Sequence, residues 1–438
     1  MLQTLFTIPD HAWGVPLFGP GLLLGLWAVF SAVLLVRLVR RQGMNADTLG
    51  YLPILLLIGA VLYWILPVLA RENHGILIRG YGVMLFLGVV AGTALSVWRG
   101  WRLGLDPDTV MTLVFWGFVP GILGARAYYV VEYWDDFLTP GATPWQTFLG
   151  TLGKIVNITE GGLVVYGSLA GGLAGFLVYI FKRKLPLWAT LDLVAPGMLL
   201  GLALGRIGCL MNGCCFGGPC DLPWAVRFPI GSPPYVREVQ EGKLFVHGLK
   251  VLAPPNVPST DAPPVIAEVE PGSAAEKHGL QAGQTIRSVN GKPVTTVYAA
   301  QKALVEAHET GEELIVVAKD EETRVEARWE IARPLGRSLP IHPTQLYGGI
   351  SALLLCLFLL VYDPFSRRDG EVIALLLTLY PVNRFLLECI RTDEAGVFGT
   401  GLSTGQVVSL IALAASAGLW FYVLRRPKGR AFALTGTG

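Results

Sequence analysis

The sequence predicts a polytopic α-helical membrane protein of about nine transmembrane helices, with a small α+β insertion late in the chain. Three observations predict it. The 438 residues are 53% hydrophobic and 15% charged, with a mean hydropathy of +0.53, which is a membrane composition. Apolar runs near the ~20 residues needed to span a bilayer recur nine times, at roughly 19–36, 49–70, 80–98, 109–131, 161–181, 187–210, 345–362, 371–390 and 404–424. The third observation is the sorting of basic residues between alternate connections. Net charge is only +2 and says little by itself.

Taking the runs in order with the N-terminus outside, the inside connections hold Arg37, Arg40 and Arg41, then Arg99 and Arg102, then Lys182, Arg183 and Lys184. Arg367 and Arg368 follow, and the C-terminal tail adds Arg425, Arg426, Lys428 and Arg430. The short outside connections hold only Arg71, Arg79, Lys154 and Arg391. The positive-inside rule therefore puts the N-terminus outside and the basic tail, 425–438, in the cytoplasm. No basic segment precedes the first apolar run, so no removable signal peptide is expected. Six cysteines in a chain this long define no disulfide framework.

Between the sixth and seventh runs lies a long outside segment. Residues 221–262 are rich in proline and lack periodicity, which predicts an extended connector. Residues 263–334 predict a soluble module: VIAEVE, TIRSVN, ELIVVAK and RVEARWEIA as strands, and VYAAQKALVEAH as a helix.

Three arginines interrupt the apolar runs. At 1.5 Å per residue from the inside end of each span, Arg126 lies ~25 Å up, Arg206 ~28 Å up and Arg384 ~20 Å up. The hydrocarbon is ~30 Å thick, so all three occupy its outer half, and His342 stands just outside the seventh run. Glu388 follows Arg384 by one helical turn and is the predicted partner for it. In one reading each arginine snorkels to the interface. In the other, the three arginines and the histidine form a cationic pocket for an anionic lipid head group, since a guanidinium binds two phosphate oxygens at once.

Segments in a fixed order then carry a resemblance: RGYGVM at 79–84, GARAYYV at 124–130, GGLVVYGSLAGG at 161–172, GRIGCLMNG at 205–213, HPTQLYG at 342–348 and YPVNRFLLECIR at 380–391. Together they resemble the prolipoprotein diacylglyceryl transferases of the bacterial inner membrane. The resemblance covers residues 76–220 and 335–424. It leaves residues 1–75 as two additional N-terminal transmembrane helices. The outside module, with Pro271-Gly272-Ser273-Ala274, Gly279-Leu280, Gly283 and Asn290-Gly291, resembles the PDZ domains of secreted bacterial proteases.

The first resemblance implies transfer of a diacylglyceryl group from phosphatidylglycerol to the lipobox cysteine of a preprolipoprotein signal peptide, giving a thioether and glycerol phosphate. It implies no cofactor, no metal and no nucleic-acid partner. Arg206 and Arg384 would hold the phosphate and stabilise it as it leaves. Arg126 would brace the head group, and Tyr81, Tyr166, Asn212, Gln345, Tyr347, Tyr380 and Glu388 would line the substrate. Tyr81 and Tyr347 could equally be interfacial anchors. His342 is the candidate base, because imidazole titrates nearest neutral pH; its alternative role is a cap before the seventh span. The second resemblance implies a peptide partner for the module.

The chain departs from the transferase pattern at three positions: Tyr166 replaces a histidine, Cys209 an asparagine and Cys214 a glutamate. These departures keep open an alternative, a catalytically inactive lipid-binding adaptor that presents the PDZ-like module. An intramembrane zinc protease is excluded by the absence of His-Glu-x-x-His. The C-x4-C-C-x4-C spacing of Cys209, Cys214, Cys215 and Cys220 is a poor zinc pattern. A disulfide on the oxidising side, with Cys215 and Cys220 nearest water, is the other reading; small residues that let elements pack closely would explain Cys209 and Cys214 equally well.

Overall fold

The computed structural model describes residues 4–432 apart from 72–74, 140–142, 158–161, 163, 255–256, 311–312, 320–323, 332–335, 393–395 and 397–398. The ends of the predicted module and of the basic tail thus lie outside the described residues. The helices are α1 (Leu22–Gln42), α2 (Ala46–Ala60), α3 (Gly80–Arg102), α4 (Pro107–Glu132), α5 (Pro144–Val156), α6 (Val165–Arg183), α7 (Leu187–Asn212), α8 (Pro233–Gln240), α9 (Val297–Thr310), α10 (Thr344–Tyr362), α11 (Glu371–Glu388) and α12 (Thr404–Arg425). A π-helical turn, Val61–Ile65, carries α2 on to Arg71. Strands β1 (Thr4–Pro9) and β2 (Gly75–Arg79) pair antiparallel.

Among the described residues, eight helical segments are long and apolar enough to cross a membrane. The ninth predicted span, α11, is a helix of 18 residues. It carries three charged residues, Glu371, Arg384 and Glu388. Large side chains such as Leu57, Phe86 and Leu123 face outwards, as on helices whose solvent is lipid.

The chain divides into two compact units, residues 2–201 with 356–376 and 420–438, and residues 202–355 with 377–419. In the first unit the helices meet through glycine. A Cβ at Gly92 would lie 2.6 Å from the Gly197 carbonyl oxygen, and one at Gly88 2.8 Å from that of Gly201. Side chains there would drive α3 off α7, so the small-residue face sets the crossing. Gly124 and Gly171 play the same part between α4 and α6. Asp106 and Pro107 start α4, the aspartate side chain accepting from the Asp108 N–H at 3.4 Å.

One end of this unit is tied by buried charge. Arg99 pairs with Asp363 at 2.8 Å, and Arg430 pairs with the same carboxylate at 2.8 Å. Arg99 also donates to the carbonyls of Asp192 and Leu193. The Asp192 carboxylate accepts from the N–H groups of Gly370 at 2.6 Å and Ile373 at 2.7 Å. It therefore caps α11, whose first N–H groups have no intrahelical partner.

In the second unit the four strands expected in the module are present as β4 (Ile266–Val269), β5 (Thr285–Val289), β7 (Glu313–Lys319) and β8 (Arg324–Glu330), and two short strands that were not expected join them, β3 (Leu249–Val251) and β6 (Lys292–Pro293). The four-stranded sheet runs β8-β7-β5-β6, and β3 pairs with β4. Asn290 and Gly291, at φ 46° and 75°, make the two-residue turn between β5 and β6. An Asn-Gly pair suits that turn because both positions need positive φ.

The predicted extended connector requires correction. Residues 221–262 supply α8 and β3, and Tyr235, Val239, Leu249, Val251 and Ala262 are buried in one core with Leu280, Ile286, Leu304 and Leu314. Proline here starts a helix rather than spacing two domains: Pro233 and Pro234 sit in the first turn of α8, where a missing N–H costs nothing.

Candidate active site

The outer turn of α7 sets the site. The helix ends in a Schellman arrangement: Cys214 N–H donates to the Cys209 carbonyl at 3.1 Å, and Gly213 N–H to that of Leu210 at 3.3 Å, with Gly213 at φ 77°. The chain then runs out as short bridges. Gly217 pairs with Arg391, and Pro219 and Val226 both pair with Ile341. Gly217 N–H donates to the His342 carbonyl at 3.1 Å, and His342 N–H to that of Gly218 at 3.0 Å. A Cβ at Gly217 would fall 2.6 Å from the His342 Cβ. Only glycine lets the histidine come this close.

His342 Nδ1 stands 3.4 Å from the Tyr347 hydroxyl, which accepts from Trp224 Nε1 at 2.7 Å. Thr344 Oγ1 donates to the Cys215 carbonyl at 2.6 Å, and Gln345 Nε2 to that of Cys214 at 2.8 Å. Gln345 is buried, and among the described residues its Oε1 has no donor. The side chain of Gln345 thus offers one acceptor beside the cysteine turn.

Arg206 lies half-buried one turn before Cys209. It is hydrogen-bonded to the Tyr380 hydroxyl and sits in the field of Cys209 and Cys215. Gly348 and Gly349 of α10 leave room for its stem, a Cβ at Gly348 lying 3.4 Å from Arg206 Cδ. Asn383 Nδ2 donates to Ser351 Oγ at 2.9 Å and fixes α11 against α10.

The predicted ion pair is present: Arg384 Nη2 meets Glu388 Oε2 at 2.8 Å. The same oxygen takes Arg391 Nη1 at 3.1 Å, and both Glu388 and Arg391 are almost wholly buried. Two guanidiniums thus share one carboxylate oxygen. The sequence reading missed Arg391 by counting it among surface loop charges. Its position three residues after Glu388 was the available signal. Trp224 was also missed, and no spacing would have found it. Asn212 ends α7, and its side chain hydrogen-bonds Cys214.

The structure thus brings Arg206, Asn212, His342, Gln345, Tyr347, Tyr380, Arg384 and Glu388 into the second unit. Arg126, Tyr81 and Tyr166 belong to the first. Both tyrosines are substantially exposed there. Arg126, expected to brace a head group, is also bonded to the backbone. It donates to the backbone carbonyls of Lys154 at 2.7 Å, Ile155 at 2.8 Å, Asn157 at 2.6 Å and Gly162 at 3.1 Å. Its guanidinium closes the C-terminus of α5, whose last carbonyls lack helical donors and carry the negative end of the dipole.

All six cysteines are free thiols. The sulfurs of Cys209, Cys214 and Cys215 lie within 4.8 Å of one another, and Cys220 is not part of that group. Hydrogen bonds from the Cys209 and Cys214 thiols hold the Cys215 sulfur well below the ordinary thiol range; burial opposes this, and the Arg206 and Arg391 guanidiniums add to it.

Comparison with known proteins bears on the family of the chain. The family model described as prolipoprotein diacylglyceryl transferase matches residues 67–422. A phosphatidylglycerol–prolipoprotein diacylglyceryl transferase of Rhodopirellula baltica is 32% identical over 452 residues, covering 95% of this chain and 88% of that protein. One from Clostridium perfringens is 24% identical over 359 residues, covering 82% and 95%. Among solved structures, the HtrA3 PDZ domain bound to a phage-derived ligand matches 22% of this chain and 88% of its own, at 21% identity and a TM-score of 0.16. On the extent of the family match and of the first relative, the chain belongs to the prolipoprotein diacylglyceryl transferase family.

Proposed function

We propose that this protein transfers the diacylglyceryl group of phosphatidylglycerol to the lipobox cysteine of preprolipoproteins. A carbon–sulfur bond forms at the glycerol carbon, the carbon–oxygen bond to phosphate breaks, and glycerol phosphate leaves with the electron pair. The observation that carries this reading is the grouping of Arg206, Arg384 and Arg391 in one unit with His342. Phosphate is held before the reaction and is the leaving anion during it, so cations placed in advance act where charge develops. Arg206 and Arg384 are the proposed phosphate ligands. Glu388 fixes the angle of Arg384 and compensates part of its charge, as a buried cation requires.

His342 is the proposed base for the incoming thiol. Tyr347, held by Trp224, orients its ring. The Gln345 Oε1 suits a donor from the substrate, such as a glycerol hydroxyl. The test supplies purified protein with phosphatidylglycerol and a lipobox peptide and measures glycerol phosphate and thioether together. Release of neither from folded protein would overturn the reading.

We also propose that the enzyme sits in the bacterial inner membrane with the N-terminus periplasmic and the C-terminus cytoplasmic. The insertion is then a periplasmic PDZ-like module that takes a peptide partner. Support comes from the basic-residue asymmetry and from the glycine and Asn-Gly pattern of the module.

A further inference from the structure

We infer that Cys209, Cys214 and Cys215 form a three-thiolate site for one thiophilic cation of the zinc(II) or copper(I) type. The inference stands apart from the proposed reaction, because binding can be read without turnover. The Schellman turn supplies the first two donors. In that motif the residue three before the cap and the one two beyond it touch, and these are Cys209 and Cys214. The third comes from the backbone at Cys215, where φ is 57°, a conformation a side-chain-bearing residue seldom adopts. The turn is pinned from outside by Thr344 and Gln345, each donating to one of the two cysteine carbonyls.

The result is three sulfurs all within 4.8 Å of one another and half-buried. Zinc–sulfur bonds of about 2.3 Å place tetrahedral sulfurs roughly 3.8 Å apart, so a small closure would seat an ion. Soft thiolates select zinc and copper(I) over oxygen-seeking cations. Three thiolates around zinc(II) leave one net negative charge, and the Arg206 and Arg391 guanidiniums lie in position to balance it. With only three protein donors a zinc ion keeps one position open. A close-packed apolar contact would use two small residues and would not need the third sulfur or the strained turn.

The test uses the full chain in detergent, purified without chelator and with a non-chelating reductant. Elemental analysis should find about one equivalent of zinc or copper per chain. Cobalt(II) added to metal-stripped protein should give a thiolate charge-transfer band and the visible bands of tetrahedral cobalt. Cys214→Ser and Cys215→Ser should lose both signals, and Cys220→Ser should keep them. Thiol alkylation of the wild type is followed in parallel, so that the test does not depend on the serine variants folding. Cys209, Cys214 and Cys215 should be protected together and released together by a chelator. Sub-stoichiometric metal with no cobalt–thiolate band, unchanged occupancy in Cys214→Ser, or a disulfide among the three would each overturn the inference.

Discussion

Arg206 and Arg384 differ from Arg126 in what their donors meet. Four of the Arg126 donors end on backbone carbonyls, whereas Arg206 is hydrogen-bonded to Tyr380 and Arg384 is paired with Glu388. Charge alone is insufficient for a bidentate phosphate contact, which lysine cannot reproduce. Arg206→Lys and Arg384→Lys should each lower the rate of glycerol phosphate release by on the order of 10²-fold, as when one pre-placed donor is removed. Near-normal turnover in either would mark that arginine as structural. His342→Gln keeps a hydrogen-bonding side chain but no base, and should depress turnover by roughly 10²–10⁴-fold. The companion variant Tyr347→Phe removes only the hydroxyl beside Nδ1 and should cost less. If His342→Gln retains the wild-type rate and pH profile, the histidine is a scaffold and the thiolate arises by another route.

At the scale of elements, the glycine seam and the module make opposite predictions. The seam is intolerant. Gly92→Leu puts a side chain where the Gly197 carbonyl lies 2.6 Å from the new Cβ. It should destabilise the helix pair by at least ~1–3 kcal/mol, the usual cost of overpacking, and thermal unfolding in detergent would register it as a lower Tm. Gly418, whose added Cβ meets nothing within 4 Å, is the control. The module should be dispensable for chemistry if removed at the right place. Cutting at 263–334 would expose the core that Tyr235, Val239 and Leu249 share with it. Pro229 and Arg337 bridge each other, so a short linker replacing 231–336 closes the gap without disturbing the pairing of Val226 with Ile341. That excision should leave transfer to a short lipobox peptide within a few-fold of wild type. Loss of activity in a folded, inserted excision protein would show that the module shapes the site.

For the whole molecule we expect α11 to cross the bilayer despite its three charges. Arg99, Asp363 and Arg430 join the ends of α3, α10 and α12, and Arg368 Nε donates to the Arg426 carbonyl at 2.9 Å. Asp192 ties the start of α11 to the same end. Since α12 is long and apolar enough to span and ends there, we expect α11 to carry the chain across to Thr404. At 1.5 Å per residue its 18 residues reach about 27 Å, close to the hydrocarbon thickness. Reporter fusions after Arg41, Lys184 and Arg426 should all read cytoplasmic. A periplasmic signal at any of them would overturn the nine-span topology.

Periodicity and charge sorting determine the helices, their order and the module's strands, because each depends on residues near in sequence and on a solvent that rejects charge. The Arg384–Glu388 pair was legible for the same reason, being one helical turn apart. What tertiary structure decided depends on partners distant in the chain. Arg126 reads as a pocket arginine in the sequence, and only the fold brings the end of α5 under it. The proline-rich stretch reads as a spacer until Tyr235 and Leu249 meet a core that begins after residue 263. Cys209, Cys214 and Cys215 match no metal spacing, yet a helix-terminating turn and one left-handed residue gather their sulfurs. Spacing along a chain predicts proximity only where the backbone is regular, and this site is built where α7 stops being so.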